Sequence, residues 1–272
     1  MKEIDVYKVI EGKSPGLAKR VPRWAVDYLR RTIHEREINE ILSRFSDLHG
    51  VEFIRAALGY MKVSYHSVGM ERLDVKGRYI FASNHPFGGL DGLMLADVVA
   101  TVFGGVKVVV NDLLMNIDPI KELFVPVNKH GRQNEKNVEA FNDAFESDVP
   151  IITFPAGLCS RRLNGQVNDV EWKPSFVKKA VEFRRDIVPV YFDGRLSNFF
   201  YRLANVRKAL GLKVNIEMLY LPDEMFRQGG SGFEIRIGTP IMYDAILDGR
   251  TPRQAADYVR RKVYAMRPIK VE

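Results

Sequence analysis

The chain is poor in cysteine. One thiol, Cys159, stands in 272 residues, which excludes an intrachain disulfide and any metal site built from several cysteines. A reducing compartment is its natural setting. His34, His49, His66 and His130 are scattered and show no ligand spacing, so no metal is expected. No apolar run reaches the roughly 20 residues that cross a bilayer. The opening stretch, MKEIDVYKVIEGKSPG, alternates charge with apolar residues and carries no secretory core. Zinc knuckles, glycine-lysine phosphate loops and aromatic RNA-binding motifs are missing too, so nucleic acid is not an expected partner. These absences describe a cytoplasmic protein that can still lie on a membrane.

Hydrophobic residues make up 46% of the chain, enough for one large core. Lys and Arg number 41 against 34 Asp and Glu, a formal net charge of +7. Such a balance suits an anionic membrane surface or a phosphate-bearing ligand.

Residues 1–60 read as a helical segment. Leu17, Val21, Trp24 and Tyr28 recur at helical spacing among Lys19, Arg20, Arg23, Arg30 and Arg31, a mixture suited to a membrane interface or to packing on a core. A second helix carries Ile38, Ile41, Leu42 and Phe45 at i, i+3, i+4, i+7, and a third covers 51–60. Residues 61–272 form the main domain, where the period changes. Apolar runs such as RYIFASN, VKVVVN, VPIITFP and DIVPVYFDG read as strands, and helical patterns alternate with them. One helix carries Val138, Phe141, Ala144 and Phe145 on a face, one is closed by Gly211, and the last is capped by Thr251 with Pro252 at its first position. The pattern predicts an α/β fold: a central, mostly parallel mixed sheet flanked by helices, preceded by the N-terminal helical segment.

In such folds ligands gather where strands end at their carboxyl side. Asn84 and His85 leave a buried strand there, Pro86 fixes φ, and Gly88-Gly89 permit a tight loop that can fold Asp91 back onto the imidazole. A carboxylate on one ring nitrogen leaves the other as a base. Spacing alone is equally satisfied by an ordinary turn with Asp91 as a helix N-cap. Two later stretches reach the same end of the sheet: FPAGLCSR, from Phe154 to Arg161, and Asp193-Gly194-Arg195.

The stretch SNHPFGGLDGL resembles the histidine–aspartate block of the glycerolipid acyltransferase superfamily, the lysophosphatidate-acyltransferase-like enzymes. FPAGLCSR is similar to that family's FPEGTRS block. The Ile187–Val190 stretch resembles its proline-bearing strand, and ELFVPV, from Glu122 to Val127, fills the place of the intermediate block. The resemblance covers about residues 60 to 240. It departs from the family in three places. Five residues rather than four separate His85 from Asp91, Ala156 replaces the block's glutamate, and Asn128 and Lys129 stand where an arginine is usual. The pattern is nearer to the HPxGxxDG and FPAGxxSR branch, which includes lyso-ornithine-lipid and related amino-acid-lipid O-acyltransferases, some called hemolysin-like.

The resemblance implies transfer of a fatty acyl group from a thioester to the hydroxyl of a lyso-lipid, with His85 as general base and Asp91 as its partner. Substrate-binding positions are then Asn84, Gly88, Gly89, Phe154, Pro155, Ala156, Gly157, Ser160 and Arg161. No resident cofactor is implied; acyl-CoA or an acyl carrier protein thioester supplies the acyl group, and Arg161 and Arg162 face its phosphates. Backbone N–H groups at Gly88-Gly89 or Ala156-Gly157 are the oxyanion donors. Lys129, His130 and Arg132 form a second basic cluster, and Cys159 has no histidine near it in sequence to make it a nucleophile. The resemblance implies a location on the cytoplasmic face of a bacterial inner membrane, held peripherally by the N-terminal helical segment as its membrane-associating part. The alternatives are 1-acyl-glycerol-3-phosphate acylation, with Ala156 against it, and a non-catalytic lipid-binding protein.

Overall fold

The computed structural model describes residues 3–13, 20–111, 115, 117–126, 135–163, 165–212 and 214–268. Four helices open the chain: α1 (Val6–Lys13), α2 (Arg23–Thr32), α3 (Glu35–Arg44) and α4 (Gly50–Tyr60). Then follow β1 (Ser64–Val68), β2 (Tyr79–Ser83), α5 (Gly89–Phe103), β3 (Lys107–Val110), β4 (Phe124–Pro126), α6 (Glu135–Glu146) and β5 (Ile151–Thr153). The remaining elements are a hairpin of β6 (Arg161–Leu163) and β7 (Gln166–Asn168), α7 (Ser175–Glu182), β8 (Asp186–Phe192), α8 (Asn198–Ala209), α9 (Leu221–Phe226), β9 (Gly232–Ile237) and α10 (Pro252–Ala265).

Seven strands make one sheet in the order β1-β9-β8-β2-β5-β3-β4. Every pairing is parallel except β8 with β9. The expected mostly parallel mixed sheet is therefore present. Its centre is β2, where all five residues are buried. Side chains alternate along a strand, so Tyr79 and Phe81 join the core on one face, with α3, α4, α5 and α8, while Ile80 and Ala82 join that on the other, with α6, α7 and α10. Helices cover both faces, which is why β2 and β8 can be apolar throughout.

Local chemistry closes the elements as the sequence suggests. Thr251 and Gln254 form a reciprocal capping box at α10, with Pro252 in its first turn. Gly211, at φ +67°, follows α8. Val138, expected on the inward face of α6, is exposed, while Ala144 and Phe145 are buried.

The segment 35–60 shares the core of the strands: Ile41, Leu42, Phe53, Ile54, Ala57 and Leu58 lie in one cluster with Phe81 and Val188. Asp97 on α5 ties it further, taking bonds from Arg55 Nη2 (2.6 Å) and Tyr65 Oη (2.5 Å). Helix α2 behaves otherwise. It starts at Arg23 behind Pro22 and buries Val26 and Thr32, so Trp24 and Tyr28 face outward. Leu17 and Lys19 lie outside the described residues. Among the described residues no helix is long and apolar enough to cross a membrane.

Candidate active site

β2 delivers Asn84 and His85 at the carboxyl end of the sheet. The Asn84 side chain extends the ladder: Nδ2 donates to Phe192 O (2.8 Å) and Oδ1 accepts from Phe192 N (2.7 Å). Its polar atoms are thus committed to joining β2 to β8. The chain then turns through Gly88, the N-cap of α5, at φ +72° and ψ −122°. Few L-residues adopt that conformation, and a Cβ there would meet Leu221 Cδ2 at 3.2 Å.

This turn closes the five-residue loop. Asp91 lies in the first turn of α5 rather than at its cap, and its Oδ2 accepts the Phe87 N–H at 2.9 Å. His85 Nδ1 stands 3.0 Å from the same oxygen. Asp91 is fully buried, and burial pushes its carboxyl up while His85 and the Phe87 N–H oppose that rise. With Nδ1 engaged, Nε2 is left as the nitrogen that can exchange a proton. Phe154, the first residue past β5, stacks on the imidazole with ring centroids 4.1 Å apart.

A second buried carboxylate, absent from the sequence reading, anchors the backbone here. Asp169 Oδ1 accepts from Ser160 Oγ (2.5 Å) and His85 N (3.3 Å), and Oδ2 accepts from Trp172 Nε1 (2.9 Å). Ser160 N donates to His85 O at 2.8 Å, so both backbone polar groups of His85 are held. The Asp169 N–H donates to Tyr264 Oη at 2.6 Å. Burial raises the Asp169 carboxyl, against the pull of its hydrogen bonds. The one sequence signal for this clamp is an aspartate three residues before a tryptophan in a polar stretch, NDVEW.

The FPAG block is a turn beside His85. The Gly157 N–H donates to Phe154 O at 2.9 Å, which commits it to the turn. The N–H groups of Gly89 and Leu90, in the first turn of α5, have no intrahelical acceptor. Pro155, Ala156 and Ser160 are buried.

Arg161 and Arg162 lie on β6 of the hairpin. The guanidinium of Arg161 donates to Cys159 O (3.1 Å) and pairs with buried Glu217 at 3.0 Å; Glu217 also meets Arg207 at 2.9 Å. Arg162 Nη1 and Arg195 both reach Asn198 Oδ1. Cys159 is buried, and burial drives its thiol up to about 11, so it is protonated at neutral pH and no nucleophile. Gly194 packs against Phe87 so closely that a Cβ would meet its ring at 1.8 Å. Lys129, His130 and Arg132, with Asn128, lie outside the described residues.

A histidine beside a buried carboxylate, with its backbone fixed at both ends, has the geometry a general base requires. The chain belongs to the acyltransferase family, whose model, described as "Acyltransferase", matches residues 8–270. It is 45% identical over 264 residues to the lyso-glycine lipid O-acyltransferase of Bacteroides thetaiotaomicron, covering 97% of each chain. It is 42% identical over 264 residues to the protein of the same name from Phocaeicola vulgatus, covering 97% of this chain and 95% of that one. The resemblance read from three blocks is borne out, and the chain is an acyl-transferring enzyme. Among solved structures, the 1-acyl-sn-glycerophosphate (LPA) acyltransferase of Thermotoga maritima is 18% identical, covers 81% of this chain and 80% of its own, and has a TM-score of 0.49.

Proposed function

We propose that the enzyme acylates the hydroxyl of a lyso-aminolipid, of the lyso-glycine class, using an acyl-CoA or acyl carrier protein thioester and no resident cofactor. The names of the two relatives support the acceptor. The chemistry is carried by the 3.0 Å contact between His85 Nδ1 and a fully buried carboxylate.

His85 Nε2 takes the hydroxyl proton as the oxygen attacks the thioester carbon. Asp91 stabilises the imidazolium that forms. General-base help of this kind is worth about 10²–10⁴-fold. The Gly89 and Leu90 N–H groups, which lack intrahelical acceptors, suit the oxyanion, since a helix N-terminus favours negative charge. The intermediate then collapses, the C–S bond breaks, and the imidazolium returns its proton to the leaving thiolate. Asn84, Ser160 and Asp169 act by holding the base in place. Phe154, Pro155, Ala156 and Gly157 form the wall beside it. Arg161 shares Glu217 with Arg207, which leaves that group one net positive charge to favour an anionic part of a substrate.

The enzyme works peripherally on the cytoplasmic face of a bacterial inner membrane, with α2 against the bilayer. The outward Trp24 and Tyr28 among arginines support this placement.

Purified enzyme given a lyso-glycine lipid and an acyl thioester is expected to form the ester and release one thiol per ester. His85→Ala should do neither while melting as the wild type does. Preference for lysophosphatidate would overturn the acceptor, and thiol release without acceptor would replace transfer with hydrolysis.

A further inference from the structure

Helix α8 buries Phe200, Tyr201 and Ala204 and turns Phe199, Val206 and Leu210 outward. These three recur at i, i+7, i+11, a stripe roughly 16 Å long at the helical rise. Phe199 is 51% exposed and Leu210 68%. Leu212, Val214 and Leu219 continue the exposed apolar surface beyond the helix, with Val214 at 73%. A surface helix normally points its apolar stripe at the core; α8 carries a second one away from it.

Ring contacts join this stripe to α2. Phe199 packs edge-on against Tyr220 with centroids 4.9 Å apart, and Tyr220 Oη lies 2.7 Å from Tyr28 Oη. Trp24, one turn before Tyr28, is 72% exposed. The charge is one-sided. From Gly194 to Ile216 the sequence has five Lys or Arg and no Asp or Glu. Arg202 on α8, and Arg20, Arg23 and Arg31 about α2, are exposed and form no ion pair with an acid among the described residues. Scattered exposed apolar residues are ordinary. A contiguous patch rimmed by uncompensated cations has the composition of a surface that enters an anionic lipid interface.

The patch also starts at the catalytic end of the sheet. β8 ends at Phe192, clamped by Asn84, and Gly194 abuts Phe87 in the histidine loop.

We infer that α8, the exposed apolar residues Leu212, Val214 and Leu219 and helix α2 form one bilayer-docking face, with the α8 stripe seated at the boundary of headgroups and acyl chains. The inference rests on the reading that the acceptor is a membrane lipid, which such a face would present beside His85.

The test uses the full chain and phosphatidylcholine vesicles with and without phosphatidylglycerol, read by co-sedimentation. Wild type is expected to bind the anionic vesicles more strongly. Phe199→Glu with Leu210→Glu should weaken binding at least about tenfold, and Arg202→Glu with Arg31→Glu should remove only the phosphatidylglycerol-dependent increment. All four side chains are exposed, so melting temperatures should match wild type. Wild-type binding by the Phe199/Leu210 variant, or no binding by wild type, overturns the inference. So does a wild-type dimer that this variant makes monomeric while neither binds vesicles, which would assign the face to a second copy of the chain. Turnover of detergent-dispersed lyso-glycine lipid should persist in the Phe199/Leu210 variant. Its absence from wild type as well would sink the acyl-transfer reading and leave the vesicle result standing.

Discussion

Arg185 enters β8 at one end of the sheet, and His85 leaves β2 at the other. Both ends hold a buried charge. The Arg185 guanidinium meets only carbonyls: Nε donates to Phe145 O (2.9 Å), Nη1 to Val149 O (2.9 Å) and Tyr79 O (3.4 Å), and Nη2 to Ala144 O (3.3 Å) and Ser147 O. All five donor positions are used. They close the C-terminal end of α6, where carbonyls lack intrahelical partners. Burial brings the guanidinium down to about 10, still charged at neutral pH. Asp91 differs. One oxygen accepts the Phe87 N–H and lies 3.0 Å from His85 Nδ1, while Oδ1 has no hydrogen-bond partner among the described residues. A buried charge with every valence satisfied holds the fold. A buried carboxylate kept partly unsatisfied beside an imidazole has the arrangement the proposed base needs, because it can stabilise the imidazolium.

That contrast can be broken by mutation. The largest expected effect is at the catalytic end: His85→Ala should lower ester formation by about 10²–10⁴-fold without a fall in melting temperature. At the other end, Arg185→Met should cost about 3–5 kcal/mol of stability, the scale for disrupting a buried charged network, measured by denaturant unfolding. Its remaining folded fraction should turn over normally. Loss of activity in fully folded Arg185→Met would erase the distinction.

Asp91→Asn sharpens it further. Activity should fall about 10²-fold or more as the charge behind the imidazole goes, yet stability at neutral pH should not fall. Burial raises the Asp91 and Asp169 carboxyls in the folded state. Between the unfolded carboxylate value, about 4, and the raised folded values, the native state binds more protons than the unfolded chain. Stability contributed by these groups therefore declines as pH rises through that window. Denaturant unfolding at stepped pH should show this decline, and Asp91→Asn should flatten it. A steeper decline in the variant would contradict the sign.

Cys159→Ser is expected to be the mildest change, within about threefold in activity, because a thiol raised to about 11 is no nucleophile. Iodoacetamide should label Cys159 only after unfolding. Rapid labelling of the native enzyme with loss of activity would reopen the thiol as a participant.

Much of this was legible locally. The strand and helix alternation, the Thr251 cap, the glycine after α8 and the His85–Asp91 pair all lie within a few residues of their cause. The block pattern was legible for the same reason, since each block is a contiguous stretch of chain. Asp169 was not, because it stands 84 positions from His85 and no spacing rule links a hairpin to a strand end. Glu217 likewise reaches Arg161 from 56 positions away. The hairpin that carries Arg161 and Arg162 was not legible either, because its three-residue strands are too short to show a period.

The sequence by itself determined the α/β alternation, the buried central strand and the presence of a histidine and an aspartate in one loop, because apolar period, proline and glycine act on neighbouring residues. Only the tertiary structure decided that Asp91 meets Nδ1, that Asp169 anchors His85 at its backbone, that Arg161 is paired, and that α8 keeps an apolar stripe outward. Those outcomes depend on which distant groups share a buried volume, where a charge must find its partners or stay exposed.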